Sequence, residues 1–483
     1  MNTSLVWFRN DLRLADNPAL HAAIARGAVV PVFIHAPEEE SPWPPGAASN
    51  WWLHQSLLLL RARLQSIGSN LIIRRGSALE TLHTLAKETR SDAIFWNRRY
   101  EPPIIERDAQ LKKALRADGF KAQSFNAALL NEPWAIQNLS GQPFQVFTPY
   151  WKNCLMDLEP AGPLPLPDFL APPAKWPKSL DPDQLGLLPK INWADGIAAE
   201  WRPGEKGAND CLNKFLASSF AVYSLQRNFP GLTGTSRLSP YLHFGEIGPR
   251  QIWHAVRRHA ESVGVITWRA SQFIAELGWR EFAHHLLYHF PHTPEAPLRS
   301  DFKYFPWRKN AAALKAWRKG KTGYPIVDAG MRELWTTGWM HNRVRMIVAS
   351  FLVKDLLISW QEGARWFWDT LVDADLANNT LGWQWTAGCG ADAAPYFRVF
   401  NPMTQGEKFD PQGKYIRRWC PELAKLPDKW IHQPGNAPLE ILRSTGVQLG
   451  RTYPKLIVDH AMARAEAIEA FAHIKSRSIC EDI

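Results

Sequence analysis

The chain has 483 residues, of which 46% are hydrophobic, and a formal net charge of +10. This length and composition predict a globular protein of two or three domains and argue against a low-complexity chain. The positive charge favours a polyanionic partner, nucleic acid first, but a basic enzyme without such a partner would carry a similar charge.

The cysteines and the hydropathy pattern bear on the compartment. The five cysteines include no C-x-x-C pair, which favours reduced thiols over a disulfide framework or a zinc site. They are Cys154, Cys211, Cys389, Cys420 and Cys480. The N-terminal residues carry charges where a signal peptide needs an apolar run, and Lys354 and Asp355 interrupt the longest apolar stretch. We therefore expect a soluble, cytoplasmic protein without a metal site or a membrane span.

Short apolar runs alternate with helical patterns in the first third of the chain. The periodicity predicts helices at 51–68 and 104–119. The apolar runs predict strands at 4–8, 28–35, 71–75, 93–97 and 121–125. This alternation predicts a doubly wound parallel α/β domain over residues 1–130, with ligands at the carboxyl ends of the strands. No glycine-rich dinucleotide or P-loop fingerprint follows the first strand, so this domain is not expected to hold a dinucleotide in the usual way.

A proline-rich region follows the α/β pattern. Prolines recur from Pro160 to Pro189 and would interrupt both helices and sheet ladders. They predict an irregular connector over residues 131–205. Beyond it the strand signals end and helical patterns dominate, so we expect a mostly α-helical domain over residues 206–483.

The loop at 231–247 combines small residues with hydroxyls before a predicted helix. Backbone N–H groups near Gly234 and the hydroxyls of Thr235, Ser236 and Ser239 suit a phosphate. A plain helix N-cap with polar neighbours explains the same residues, and on sequence statistics alone the cap is the more common arrangement.

Three other segments bring charged and aromatic residues to one helical turn or one loop. Glu276, Trp279 and Arg280 suit either a nucleotide-binding face or a surface ion pair around a core tryptophan. The acids at 373 and 375 lack the further ligands of a calcium site, and suit either hydrogen-bond acceptors for a heteroaromatic ring or a solvated helix end. In TGWMHNRVRM, helical spacing places the side chains at 342, 345 and 346 on one face.

Six long motifs occur in a fixed order along the chain. They are TGTSRLSPYL, ELGWREF, KTGYPIVDAGMREL, GWMHNRVRMIVASFLVKDLLISW, DTLVDADLANNTLGWQWTAG and APYFRVFNPMTQGEKFD. Together with LVWFRNDLRLADNPAL near the N-terminus, they resemble the photolyase/cryptochrome flavoprotein family, most closely its bacterial cyclobutane pyrimidine dimer photolyases. The resemblance implies an α/β antenna domain and an all-α C-terminal domain that binds FAD.

The resemblance also assigns the flavin contacts. Arg345 would pair with Asp373 beside the isoalloxazine, Asp375 would contact a flavin ring or ribityl group, and Asn379 would face flavin N5. An amide suits this last position because a carboxylate would repel anionic reduced flavin, whereas an amide accepts from N5–H. The expected FAD-binding residues are Tyr223, Thr235, Ser236, Arg237, Leu238, Ser239, Arg345, Asp373, Asp375 and Asn379.

The chain contains 24 tryptophans, more than core packing needs. The resemblance assigns Trp383, Trp360 and Trp307 to a relay of indoles that carries an electron between the flavin and the surface. Other tryptophans are expected in the core.

The resemblance implies that the partner is DNA carrying a pyrimidine dimer, which is flipped out of the duplex. The catalytic residues expected at the lesion are Glu276, Asn342, Met346, Asn379 and Trp385. The expected DNA-binding residues are Arg227, Glu276, Trp279, Arg280, Asn342, Arg343, Met346, Trp385 and Gln405. Six-four photolyases, which need acid/base help, are expected to carry histidine at positions 342 and 346, so the resemblance predicts repair of cyclobutane dimers.

Other functions are open at this point. A cryptochrome photoreceptor is the alternative, opposed by Asn379 in place of the aspartate typical of plant cryptochromes. A nicotinamide-dependent flavin oxidoreductase is weaker, since no second dinucleotide fingerprint is present. The expected second chromophore is methenyltetrahydrofolate, although the known bacterial folate contacts do not carry over around 101–108, and a deazaflavin is the alternative. We expect a monomer.

Overall fold

The computed structural model describes residues 2–393 and 397–481, and side chains through residue 474 except that of Asp157. The chain forms two compact units. Unit 1 comprises residues 1–220, 236–291 and 372–375, and unit 2 comprises residues 221–235, 292–371 and 376–483. The boundaries that composition predicts at residues 130 and 205 stay a prediction. Residues 394–396 of the last motif lie outside the described residues.

Unit 1 contains a five-stranded sheet in which every strand pairing is parallel. The strands are β1 (Asn2–Phe8), β2 (Gly27–His35), β3 (Ile72–Arg75), β4 (Ala93–Asn97) and β5 (Lys121–Phe125). Their order is β3-β2-β1-β4-β5. The five predicted strands and the doubly wound architecture are confirmed. The strand order reverses between β1 and β4, and such a reversal opens a crevice at the carboxyl ends of the strands.

The predicted connector covers the edge of this sheet that β3 forms. The Leu180 backbone N–H donates to the Ile73 carbonyl at 3.0 Å, and the Ser179 hydroxyl accepts from the Ile73 N–H at 2.9 Å. The connector therefore satisfies polar groups of edge strand β3 that would otherwise be open to pairing with another chain. The prolines of the connector do not prevent these hydrogen bonds, because the bonds join isolated groups and do not form a continuous sheet ladder.

Helices surround the sheet and continue to the end of unit 1. In chain order the first helices are α1 (Pro18–Ile24), α2 (Ala47–Ser66), α3 (Ala78–Thr89), α4 (Pro102–Ala117), α5 (Phe147–Asp157), α6 (Asp195–Glu200), α7 (Gly204–Ser218), α8 (Tyr223–Gln226), α9 (Ser239–His243), α10 (Pro249–Ser262) and α11 (Gln272–His289). Of these, α8 belongs to unit 2.

Unit 2 is helical, as the sequence predicts. Its further helices are α12 (Ala311–Arg318), α13 (Pro325–Thr337), α14 (Asn342–Ser350), α15 (Trp360–Thr370), α16 (Leu376–Ala387), α17 (Pro402–Phe409), α18 (Lys414–Trp419), α19 (Asp428–Ile431), α20 (Leu439–Thr445) and α21 (His460–Glu481). A π-helical turn, Phe351–Asp355, follows α14 directly.

The described residues bear on two predictions, which concern the cysteines and a membrane span. Cys154, Cys211, Cys389 and Cys420 carry no disulfide, and the side chain of Cys480 lies outside the described part. Among the described helices, none combines the length and the hydrophobicity that crossing a membrane requires.

Candidate functional site

Helix α14 begins directly after His341, which caps it. Gly338 ends α13 in the left-handed conformation at φ 66°, and His341 Nδ1 accepts a hydrogen bond from the Arg343 backbone N–H at 3.1 Å. Burial, together with the charges of Arg343 and Arg345, lowers the pKa of His341 to about 3. The ring is therefore neutral at physiological pH and able to accept this bond, which fixes the start of the helix.

The predicted site residues of α14 have different surroundings. Asn342 is exposed and Met346 is half-buried, so an amide and a thioether are accessible on the first turns of the helix. Arg345 turns back towards the α13–α14 loop, where its Nε donates to the Met340 carbonyl at 2.8 Å. The helical placement predicted from the sequence is confirmed, and the roles of these residues stay predictions.

A cluster of arginines surrounds the start of α14. Arg343 Nη2 donates to Asn228 Oδ1 at 2.8 Å, and its guanidinium lies 4.4 Å from the ring centroid of Phe409. Burial and the nearby Arg227 lower the pKa of Arg343. Gln405 lies half-buried on α17. Positive charge gathered in this way raises the local concentration of a polyanion such as DNA.

The three tryptophans of the predicted relay differ in burial. Trp383 on α16 and Trp360 at the start of α15 are both 2% exposed, whereas Trp307 is half-buried. The indole of Trp383 packs against α15 at Gly363, where a Cβ would lie 2.0 Å from the ring. Glycine is therefore required for this packing. Two buried indoles followed by a half-buried one suit a route for an electron between the interior and the surface.

Two more predicted residues lie on α16. The amide nitrogen of Asn379 donates to the Ala364 carbonyl at 3.1 Å, which assigns its Oδ1 as the acceptor end of the side chain. Trp385 donates its Nε1 proton to the Asp392 carbonyl at 3.1 Å. Both side chains are thus oriented by backbone carbonyls.

The predicted phosphate loop crosses the boundary between the units along the chain, and each part has its own packing. In unit 2, Gly234 approaches α8 so closely that a Cβ would lie 2.7 Å from the Gln226 side chain, and Tyr223 opens α8. In unit 1, Arg237 adopts a positive φ of 54°, forms an ion pair with Glu200 and lies 4.1 Å from the Trp201 ring centroid. The predicted entry of the loop into a helix is confirmed, and the helix, α9, begins at Ser239.

On α11 in unit 1, each predicted residue has a defined partner. Trp279 stacks on Phe147 with ring centroids 3.9 Å apart and an interplanar angle of 11°. Arg280 Nη1 donates to the Ala128 carbonyl at 2.6 Å. Glu276 accepts from the Gln272 amide at 3.0 Å. The helix face is therefore held by residues from α5 and from the segment that follows β5, as well as by its own turn.

The carboxylate of Asp375 lies in a charged part of unit 1. Its Oδ2 is 3.4 Å from His284 Nε2. Burial would raise the pKa of Asp375, but His284, Arg280 and His243 together hold it well below its ordinary value. Asp373, two residues earlier, is buried. Asp375 is thus an ionised acceptor at physiological pH.

These observations fit the chemistry of FAD. In unit 1, ionised Asp375 can accept from a ring N–H, and Ser236 and Ser239 offer hydroxyls. In unit 2, the Asn379 Oδ1 and the hydroxyl of Thr235 add an acceptor and a donor. Each unit therefore carries, by itself, polar groups of the kind that a heteroaromatic ring with a phosphate-bearing chain requires.

Several residues that shape the site were not predicted. Asn228 holds Arg343, His341 caps α14 and His284 faces Asp375. A histidine directly before a helix is a signal that could have identified the cap, because its ring nitrogen can accept from an early backbone N–H. The partners of Arg343 and Asp375 are distant in sequence, and no spacing rule indicates them.

The chain is similar to DNA photolyases along almost its whole length. Residues 4–171 match the DNA photolyase family, and residues 273–473 match the FAD binding domain of DNA photolyase. A deoxyribodipyrimidine photo-lyase from Agrobacterium fabrum is 49% identical over 476 residues, 98% of each protein. Cryptochrome-1 from Arabidopsis thaliana is 41% identical over 490 residues, 98% of this chain and 70% of that protein.

A solved structure gives the same relationship. The crystal structure of a bacterial class III photolyase from Agrobacterium tumefaciens matches with a TM-score of 0.95 and 48% identity, covering 99% of this chain and 98% of that one. This likeness confirms the predicted combination of an α/β domain with a helical FAD-binding domain. The chain belongs to the DNA photolyase family and is one of its FAD-binding members.

Proposed function

We propose that this protein repairs cyclobutane pyrimidine dimers in DNA by light-driven electron transfer from reduced FAD. The observation that carries the proposal is the first part of α14, where the His341 cap fixes an exposed Asn342 and a half-buried Met346. Neither an amide nor a thioether acts as a general acid or base. Splitting a cyclobutane dimer requires an electron and no obligatory proton transfer, so these side chains suit that lesion.

The chain's own residues would bind and orient the lesion. In unit 2, Asn342 would hydrogen-bond the pyrimidine edge, while Met346 and Trp385 would offer polarizable surfaces. In unit 1, Glu276 would accept from an imide N–H and Trp279 would stack against a base. The stacking of Trp279 on Phe147 and the bond from Trp385 to Asp392 support this assignment, because both restrict ring orientation.

FAD, when bound, supplies the light-excited electron. Arg345, Asp373, Asp375 and Asn379 would hold its isoalloxazine and ribityl groups, and the loop that ends at Ser239 would hold its phosphates. Trp383, Trp360 and Trp307 would reduce the oxidised cofactor from the surface. The burial of the first two indoles supports this order, since a buried ring is protected from side reactions with solvent.

DNA would bind mainly through the arginines near α14. Arg227 and Arg343 would contact phosphates, and Gln405 and Arg280 would contact flanking backbone. The clustering of Arg227 and Arg343 supports this, because burial and the charge of Arg227 lower the pKa of Arg343, and a phosphate would relieve that repulsion.

The second chromophore is proposed to be methenyltetrahydrofolate, with a deazaflavin as the alternative. An absorption and fluorescence spectrum of the purified protein distinguishes them, because the two pigments absorb and emit at different wavelengths. We further propose a cytoplasmic monomer, which light scattering of the purified protein tests for size.

The repair activity is tested with a UV-irradiated oligothymidine. Pre-reduced protein should restore the dimers to thymines under blue light and leave them intact in the dark. A cryptochrome photoreceptor is the second candidate, since the likeness to Cryptochrome-1 extends over 98% of this chain. Dimers that persist in both light and dark would refute the repair proposal and favour the photoreceptor.

A further inference from the structure

His284 lies between a helix carbonyl and the carboxylate of Asp375. Its Nδ1 is 2.9 Å from the Arg280 carbonyl oxygen, one turn earlier on α11, and its Nε2 is 3.4 Å from Asp375 Oδ2. Both side chains are well shielded, with 8% and 16% of their surface exposed. Tyr100 meets the imidazole edge-on, with ring centroids 6.2 Å apart and an interplanar angle of 89°.

The geometry determines what the imidazole can do. A carbonyl oxygen only accepts, so Nδ1 must carry a proton and donate it to Arg280. An ionised carboxylate also only accepts, so Nε2 donates to Asp375 when it too is protonated. A ring with a proton on each nitrogen would satisfy both neighbours at once.

This pair faces other charged groups within unit 1. Arg280 and His243 also favour the ionised form of Asp375, whereas Glu101 opposes its ionisation through like charge. Of these, His284 is the strongest influence that keeps Asp375 ionised against the cost of burial. An uncompensated carboxylate at this depth would be costly and would tend to take up a proton.

We propose that His284 is a positioning residue, which keeps Asp375 ionised and oriented for FAD and ties that carboxylate to the helix that carries Glu276 and Trp279. The inference deepens the proposed function and rests on it, because it assumes that Asp375 contacts the flavin. The inference adds a connection between the cofactor and α11. If α11 moved at the Arg280 carbonyl, the imidazole of His284 would move with it and shift Asp375, the proposed flavin ligand.

Two substitutions separate the ring nitrogens. His284→Gln places an amide N–H near the position of Nε2 and keeps a donor to Asp375, whereas His284→Asn places one near Nδ1 and keeps only the bond to Arg280. FAD release from the purified holoenzyme on dilution is followed by the fluorescence of the freed cofactor. We expect His284→Asn to weaken FAD binding by about tenfold or more, the loss of one charge-assisted hydrogen bond, and His284→Gln to stay within about threefold of the wild type.

His285 provides a matched control. It is buried on the same helix, accepts from the Phe144 N–H at 3.0 Å and faces the Pro133 carbonyl at 3.1 Å. His285→Asn should lower the melting temperature without weakening FAD binding. If both His284 variants lost FAD equally, in step with a fall in melting temperature, or if both bound FAD as the wild type does, the positioning role would be refuted.

A double variant tests the proposal even if the single variant His284→Asn folds poorly. With Asp375→Asn present, adding His284→Asn should cause little further loss of FAD, because the pair is already broken; full additivity would overturn the proposal. These readouts do not include repair. A holoenzyme that binds FAD but leaves dimers intact in light would refute the proposed function while leaving the comparison of the His284 variants interpretable.

Discussion

Two regions of unit 2 differ in burial and in polarity. Around α15 and α16, Trp383 and Trp360 are almost completely buried, and Gly363 lets an indole pack directly against a neighbouring helix. At the start of α14, Asn342 is exposed and arginines gather around it. The first region is dry and aromatic and suits movement of an electron. The second is polar and cationic and suits capture of a DNA lesion.

From this difference we expect that cofactor reduction and lesion repair depend on separate residues. A change in the aromatic interior should alter how the flavin becomes reduced, and a change near α14 should alter DNA binding.

Trp383→Phe should abolish photoreduction of oxidised FAD, because phenylalanine is much harder to oxidise than an indole and the relay loses its first member. Absorption spectra recorded during blue-light irradiation measure this. The same variant, reduced chemically beforehand, should repair dimers as the wild type does. Trp430→Phe on α19 is the matched control and should photoreduce normally. Loss of repair by the pre-reduced Trp383 variant would show that the two functions are not separate.

Lys354 lies in the π-helical turn after α14, between the two regions. Its Nζ donates to the Arg398 carbonyl at 2.5 Å, and burial lowers its pKa to about 7 from an ordinary 10.5, although Asp355 opposes the shift. Between these values the unfolded chain binds a proton that the folded chain lacks. The free energy of unfolding should therefore rise with pH across this window, by roughly 4 kcal/mol.

Lys354→Met should remove this rise. Urea unfolding of wild type and variant at about pH 7 and about pH 10 measures it as a difference between the two proteins. Lys315→Met, at an exposed position on α12, should leave the pH dependence unchanged. A rise of equal size in the Lys354 variant would mean that the amine keeps its ordinary pKa in the folded protein.

Arg343→Gln should weaken binding of dimer-containing DNA by about tenfold and reduce the salt dependence of binding by about one counterion. The reason is that Arg343 is held in place by Asn228 and Phe409 and would meet a phosphate with little loss of side-chain entropy. Titrations at several salt concentrations measure both quantities. Arg443→Gln on α20 serves as the control, and photoreduction should be unaffected in both variants. An unchanged salt slope would remove Arg343 from the DNA contact set.

The sequence predicted most of the elements and few of the partners. Strands β1, β2 and β4 followed from apolar runs because the inner strands of a parallel sheet are buried on both faces, and α14 followed from a segment with helical spacing. The cover that Ser179 and Leu180 give to β3 could not be predicted, since isolated backbone contacts leave no periodic signal. For the same reason Asn228 and His284, which meet their partners across long stretches of chain, were identified only in the structure.

The most direct test of the account compares two lesions in one oligonucleotide sequence. Pre-reduced protein is given either a cyclobutane thymine dimer or a six-four photoproduct, and the restored thymines are quantified by chromatography after blue light and after darkness. Because Asn342 and Met346 provide no acid or base, we expect light-dependent restoration of the cyclobutane dimer and none of the six-four photoproduct. Restoration of the six-four photoproduct, or of neither lesion, would contradict this expectation.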